Sequence, residues 1–128
     1  MGTFRSTIAI AAAPAGPFEP IEALVDTGAT YTLVPETTLR RLGVRPIDRQ
    51  TFLLADGSSV ERDVGEAVIR IDGRTRTSVV IFGDEGAEPL LGAVTLEEFG
   101  LGVDTLRREL VPVPGYLVGI RLEDANDS

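Results

Sequence analysis

A short apolar run that ends in an acid constrains this chain more than any other feature. The run Ala23-Leu24-Val25 leads directly to Asp26, and a hydroxyl and a glycine follow at Thr27 and Gly28. An anionic carboxylate at the end of a buried strand is costly unless hydrogen bonds or charges stabilise it. We therefore interpret Asp26 as a catalytic acid or base, and the remaining chain as the structure that holds it.

The composition limits the chemistry that can accompany this acid. The chain has 128 residues, 43% of them hydrophobic, with no histidine, no cysteine and a net charge of −8. This length predicts one folded domain over residues 1–128. Without histidine and cysteine, Ser-His-Asp and Cys-His catalysis and Cys-type zinc sites are excluded, so carboxylates are the main hydrolytic groups left. The negative charge argues against nucleic acid and anionic membranes as partners.

The hydropathy pattern gives no sign of membrane insertion. No apolar run approaches the roughly 20 residues that span a bilayer. Residues 8–13 are also too few for a typical signal-peptide core. We therefore expect a cytoplasmic protein with no membrane contact of its own, and the sequence leaves open a membrane tether in another region of a longer chain.

Alternating apolar residues and turn signals predict a mostly β chain with two short helices. Asp56-Gly57 and Asp72-Gly73 are predicted hairpin turns, which favours a β-meander. Helices are predicted at residues 35–43 and 93–99, with glycine at or just past each end. The polar residues 123–128 are expected to fray. Strands are predicted at residues 3–11, 21–25, 31–34, 51–55, 59–64, 66–71, 75–82, 101–103, 109–113 and 116–122.

The two predicted helices share a sequence pattern. Residues 39–44 and 96–101 both read as Leu, two charged residues, an apolar residue, Gly and another apolar residue. Each follows an apolar strand and a glycine-containing turn, at residues 24–28 and 90–92. Two ordinary helices with glycine caps would explain the pattern, but the matching turns favour a pseudo-repeat of two half-domains.

Three segments together resemble the retroviral-type (retropepsin-like) aspartic proteases. Residues 23–29 are similar to the active-site motif of that family, and residues 53–58 lie at the place of its flap. The third segment is Pro89-Leu90-Leu91-Gly92, which leads into a helix and then into residues 100–104. The match covers about residues 3–113 and leaves 114–128 as a C-terminal extension. The resemblance implies a mostly β, closed-barrel or meander fold with short helices and pseudo-two-fold halves, active as a homodimer.

The number of motifs in the chain agrees with a homodimer. Hydrolysis by carboxylates needs two of them, one ionised and one protonated. The chain has one Asp-Thr-Gly and no Asp-Ser-Gly, and Asp104-Thr105-Leu106 lacks the glycine. Two-fold symmetry would supply the second carboxylate. We therefore expect an aspartic endopeptidase in which Asp26 and its copy activate water against a peptide or protein substrate.

The resemblance also implies a role for each site residue, with no cofactor and no metal. Asp26 is the expected catalytic residue, Thr27 links the two copies, Gly28 lets the substrate backbone approach, and Ala29 completes the motif. The expected flap and substrate-binding walls are Leu54, Ala55, Asp56, Gly57, Ser58, Val60, Leu90 and Leu91.

Several departures from the viral pattern keep alternatives open. Many viral members carry an acid after the motif and an arginine after the later glycine, where this chain has Thr30 and Ala93. Asp56 either disfavours acidic substrates or serves the turn. Residues 116–122 form either a dimer-interface strand or a cover for a sheet edge. The alternative function is a catalytically weak or inactive dimerisation or peptide-binding module. An ordinary β-barrel with Asp26 in a turn would leave the other two segments unexplained.

Overall fold

The structure is a computed structural model and describes residues 4–115. The elements are β1 Phe4–Ala11, β2 Glu19–Val25, β3 Thr32–Pro35, α1 Glu36–Leu42, β4 Pro46–Leu53, β5 Ser59–Ile71, β6 Arg74–Gly83, β7 Leu90–Leu91, α2 Ala93–Phe99, β8 Leu101–Asp104 and β9 Glu109–Pro112. The prediction of a mostly β chain with two short helices is confirmed. The strand predicted at residues 116–122 and the tail 123–128 lie outside the described residues.

Most of the strands form one sheet that closes on itself. Its order is β1-β2-β7-β3-β6-β5-β4, and β1 also pairs with β5, so that all its strands except β4 form a ring. The consecutive strands β4, β5 and β6 are antiparallel neighbours, as a meander requires. β8 and β9 form a separate two-stranded sheet. Closure leaves few unpaired strand edges on the ring.

The topology contains the predicted pseudo-repeat. Helices α1 and α2 each have seven residues and are capped by Gly43 and Gly100, whose φ angles of 93° and 66° are left-handed. β3 pairs in parallel with β6, and β7 pairs in parallel with β2. Each half therefore contributes a strand to the other. The repeat aligns β3–α1 with β7–α2, so that β2 corresponds to β6. The glycine-containing turns had instead suggested that β2 corresponds to β7, and that part of the prediction is wrong.

One long strand replaces two predicted ones. β5 runs without a break through Gly65, which pairs with Val80 in the ladder, so the predicted break at residue 65 is wrong. A Cβ at Gly65 would lie 2.8 Å from the carbonyl oxygen of Arg45 and 3.0 Å from the Phe82 ring. The glycine permits close packing of a continuous strand and does not end it.

The two Asp-Gly pairs form different connections. Asp72 and Gly73 both have positive φ, 51° and 80°, as a two-residue type I′ turn between β5 and β6 requires. At the other pair only Gly57 has positive φ. The predicted hairpin turn lies there, but the connection is longer and spans residues 54–58, because β4 ends at Leu53 and not at residue 55. β4 also begins at Pro46 instead of residue 51, because pairing with β5 extends an exposed, polar segment.

Aliphatic side chains fill the space inside the ring. The buried cluster includes Ile8, Ile10 and Ile69 from the sheet, with Leu39 of α1 and Phe99 of α2 packed against them. All five are at most 1% exposed. The strands that lead to Asp26 therefore rest on a close-packed base, which resists local movement.

Candidate active site

Asp26 lies where the chain leaves β2 for a tight loop. Its N–H donates to the carbonyl oxygen of Leu91 in β7 at 3.1 Å, and the Ala29 N–H donates to the Asp26 carbonyl at 3.1 Å. The Gly28 N–H donates to Oδ1 of the Asp26 carboxylate at 2.9 Å. Asp26 is half-buried, and Thr27 and Gly28 are exposed. The backbone therefore fixes a carboxylate that remains accessible to solvent.

The start of α2 braces this loop. The Ala93 N–H donates to the carbonyl of Ala29 at 2.8 Å, and the Val94 N–H donates to the carbonyl of Thr30 at 2.9 Å. Thr30 and Ala93 are the positions that would carry the acid and the arginine of the viral pattern. Here backbone hydrogen bonds connect the same two segments.

Gly92 makes this close approach possible. A Cβ at this position would lie 2.5 Å from both the carbonyl carbon and the carbonyl oxygen of Tyr31, and 3.0 Å from the carbonyl oxygen of Ala29. The φ of Gly92 is −96°, which any residue adopts. The position therefore requires glycine for space and not for backbone conformation.

An apolar cleft of about 490 Å³ opens beside the loop. Its lining includes Gly28, Ala29, Leu54, Val60 and Leu90 from the residues that the sequence pointed to. Its volume lies in the range of ligand-binding clefts, and its lining is mostly apolar. Residues that the sequence reasoning missed also line it, among them Tyr31, Leu33, Phe52, Arg62, Ile81 and Asp84.

Some of the missed residues carry a local signal. Phe52 and Leu54 are two positions apart, and Phe52 pairs with Val60 across the β4–β5 ladder, so strand alternation could have found it. The rings of Phe52 and Tyr31 meet edge to face with centroids 6.2 Å apart. Leu33 and Ile81 have no such signal, because the parallel pairing of β3 with β6 brings them together.

The other predicted residues do not line the cleft. Leu91 is fully buried in the core, so only its neighbour Leu90 reaches the cleft. Residues 55–58 are exposed in the connection between β4 and β5, which we call the flap loop (residues 54–58). Asp26 and Thr27 are not lining residues, but they directly precede Gly28, which lies at the edge of the cleft.

Charged side chains of the flap loop and of the cleft have partners within the chain. Asp56 accepts hydrogen bonds from the Ser58 N–H at 2.9 Å and the Ser58 hydroxyl at 2.5 Å. These bonds lower the pKa of the Asp56 carboxyl, so the flap loop keeps its negative charge in mildly acidic solution. Arg62 pairs with Asp84 at 2.8 Å and thereby connects β5 to the loop after β6.

Neither a metal-ligand group nor a membrane-spanning helix occurs in residues 4–115. No three acidic side chains in this part of the chain lie close enough together to hold a metal ion. Its helices are too short and too polar to cross a bilayer.

The fold is that of the retropepsin-like aspartic proteases, as the resemblance seen in the sequence predicted. The structure is similar to the EIAV protease complexed with the inhibitor HBY-793, with a TM-score of 0.64 and 20% identity over 79% of this chain and 91% of that chain. It is also similar to the retroviral protease-like domain of Ddi1 from Leishmania major, with a TM-score of 0.53 and 16% identity over 84% and 87% of the two chains. The simian foamy virus (mac) protease gives a TM-score of 0.51 and 22% identity over 73% and 94%. At such identities these likenesses establish the fold alone.

The family follows from a match in sequence. The family model of the gag-polyprotein putative aspartyl protease matches residues 18–98, which is more than half of the chain. That range contains the Asp-Thr-Gly loop, the flap loop and nearly all of α2. The chain therefore belongs to this family. No curated protein matches it.

Proposed function

We propose that this protein is a homodimeric aspartic endopeptidase, in which Asp26 and the same residue of a second copy activate the water that hydrolyses a peptide bond. One observation carries the proposal: the Asp-Thr-Gly loop holds the accessible carboxylate of Asp26 next to Gly28, which lines an apolar cleft. The mechanism needs a carboxylate that accepts a proton and a second that donates one. A second copy of the chain would supply the missing group.

The chemistry uses one proton shared by the two Asp26 carboxyls. The ionised carboxylate accepts a proton from water as the water oxygen attacks the peptide carbonyl carbon, and the protonated one donates to the carbonyl oxygen. The resulting gem-diol then returns a hydroxyl proton to a carboxylate while the other carboxyl protonates the leaving nitrogen and the C–N bond breaks. The dyad ends with one proton, as it began.

Other features of the site support the roles that the family resemblance implies. The exposed Thr27 is available to a second copy, and Gly28 places backbone without a side chain at the edge of the cleft. The flap loop would close over a bound peptide and exclude water. Asp56 is occupied by Ser58, which favours a turn role over a substrate contact.

A dimerisation or peptide-binding module without turnover is the second candidate. Thr30 and Ala93 favour this candidate, because they cannot form the ion pair that would hold these two positions together more strongly. The two backbone hydrogen bonds that join residues 29–30 to 93–94 favour the endopeptidase, because they hold the loop without that pair.

The variant Asp26→Asn tests the mechanism, with Asp72→Asn as its matched control. Asp72 is exposed, and its turn accepts asparagine equally well, so the control loses the same charge without changing the fold. Against a mixed peptide library from acidic to neutral pH, we expect Asp72→Asn to cleave like wild type and Asp26→Asn to lose about a thousandfold in rate. Wild-type rates in Asp26→Asn would refute the mechanism. No cleavage by wild type at any pH would favour the binding module.

Mixing experiments test the shared site. Wild type is refolded together with increasing amounts of Asp26→Asn, and activity is expressed per wild-type chain. A dimeric site predicts a fall to roughly one half at equal amounts, because half of the wild-type chains then have a partner without the carboxylate. Activity that does not depend on added Asp26→Asn would show that each chain works alone.

A further inference from the structure

Three buried hydroxyls form a chain behind the Asp-Thr-Gly loop. Thr32 of β3, Ser78 of β6 and Thr95 of α2 are at most 2% exposed. The oxygens of Thr32 and Thr95 are 2.6 Å apart, and those of Thr95 and Ser78 are 2.8 Å apart. At one end Thr32 accepts the Gly92 N–H at 3.1 Å. At the other end Ser78 donates to Oε1 of Glu98 at 2.6 Å.

The number of protons available sets the direction of each bond in this chain. A carboxylate only accepts, so the single hydroxyl proton of Ser78 goes to Glu98. Ser78 must then accept from Thr95, and Thr95 must accept from Thr32. Every hydroxyl donates once and accepts once, and the described residues contain no buried side-chain polar atom without a partner. Aligned hydrogen bonds of this kind strengthen one another.

We infer that Glu98 is a positioning residue for the Asp-Thr-Gly loop, because its carboxylate is the terminal acceptor that orients the hydroxyl chain holding Gly92. The inference rests on the proposed function and adds a residue to it. The effect reaches the loop through packing of Gly92 on the carbonyl of Tyr31 and through the hydrogen bonds from residues 93 and 94 to residues 29 and 30. The buried hydroxyl chain thus supports the same contact between the Asp-Thr-Gly loop and the start of α2 to which Thr30 and Ala93 belong.

Three variants test this role in the full chain. Glu98→Ala removes the acceptor, Glu98→Gln keeps an acceptor oxygen, and Glu97→Ala removes an equal charge from the neighbouring position of α2, which is exposed as Glu98 is. We expect Glu98→Ala to lower kcat about tenfold with KM changed less than about twofold, because the loop is misplaced while the cleft is intact. Glu98→Gln should retain at least about half of kcat, and Glu97→Ala should match wild type. Equal losses in Glu98→Gln and Glu98→Ala, or no loss in Glu98→Ala, would overturn the inference.

Amide hydrogen exchange separates failure of this inference from failure of the proposed function. In Glu98→Ala we expect the amides of Gly92, Ala93 and Val94 to exchange about tenfold faster, with the β5–β6 ladder unchanged. Glu98→Gln and Glu97→Ala should keep the wild-type protection. If wild type cleaves no peptide and the local exchange still responds in this way, the proposed function fails and the positioning role stands. Unchanged exchange, or an equal increase throughout the sheet, would overturn the positioning role.

Discussion

Replacing Gly92 by alanine tests whether the packing of α2 on the Asp-Thr-Gly loop supports the fold and the activity together. The added Cβ would lie 2.5 Å from the carbonyl carbon and oxygen of Tyr31 and 3.0 Å from the carbonyl oxygen of Ala29. These are backbone atoms, so no side chain can rotate away and the loop itself must move. Overpacking costs typically 1–3 kcal/mol, and we expect about 3 kcal/mol because the obstruction is backbone.

Two control variants separate this clash from other effects of losing a glycine. Gly92 is the N-cap of α2, and Gly92→Ser introduces the same Cβ with a hydroxyl that suits an N-cap, so the clash remains while capping improves. A Cβ at Gly115 would meet nothing within 4 Å among residues 4–115, so Gly115→Ala should change the free energy of unfolding by less than about 0.5 kcal/mol. Backbone strain contributes at neither position, since neither has a left-handed φ.

Denaturant unfolding at one protomer concentration measures these costs, and kcat/KM is measured on the same samples. Both Gly92 variants should lower the unfolding midpoint by the equivalent of about 3 kcal/mol and kcat/KM by at least about tenfold. A cost below about 0.5 kcal/mol in Gly92→Ala would refute the reasoning that this contact fixes the loop. A cost in Gly92→Ala that is absent in Gly92→Ser would assign the effect to helix capping.

Two further predictions concern the scaffold. The hydrogen bond from Arg41 lowers the pKa of Glu19, so the pair stabilises the folded chain above the ordinary pKa of glutamate and less as the pH falls through the lowered value. The difference in unfolding midpoint between wild type and Arg41→Gln should therefore be small, largest near neutral pH, and absent in acid; a difference that grows in acid would contradict this sign. Phe99→Ala should cost about 3–5 kcal/mol because Phe99 is fully buried, whereas Leu106→Ala, at a position 94% exposed, should cost less than about 0.5 kcal/mol. Similar unfolding midpoints for these two variants would contradict the assignment of Phe99 to the core.

Elements with local signals were predicted well. The helices predicted at residues 35–43 and 93–99 coincide with α1 and α2 within one residue. The reason is that Pro35 is a local signal for a helix start, and Gly43 and Gly100 are local signals for a helix end. The predictions failed where a distant contact decided the outcome. Gly65 looked like a break, but it serves the approach of Arg45 and Phe82 to a continuous strand.

The candidate site also has a part that local sequence predicts and a part that depends on distant contacts. Asp26, Thr27 and Gly28 are contiguous, so the motif could be recognised, and the structure places them in one hydrogen-bonded loop. The cleft walls from β3 and β6 could not be predicted, because they meet only through the parallel pairing of strands distant in the chain. The hydroxyl chain is a stronger example, since Thr32 and Thr95 are 63 positions apart and each alone looks like an ordinary polar residue.

The amino-acid sequence by itself limited the chemistry that the proposed function can use. The absence of histidine and cysteine left carboxylates as the main hydrolytic groups, and the single Asp-Thr-Gly is the reason that the proposed mechanism takes its second carboxylate from a second copy. Only the tertiary structure decided what surrounds Asp26: an apolar cleft, a glycine pressed against the loop, and a row of buried hydroxyls that ends at Glu98. The physical reason is that residue type is local information, whereas these contacts depend on the register in which β2 meets β7 and β3 meets β6.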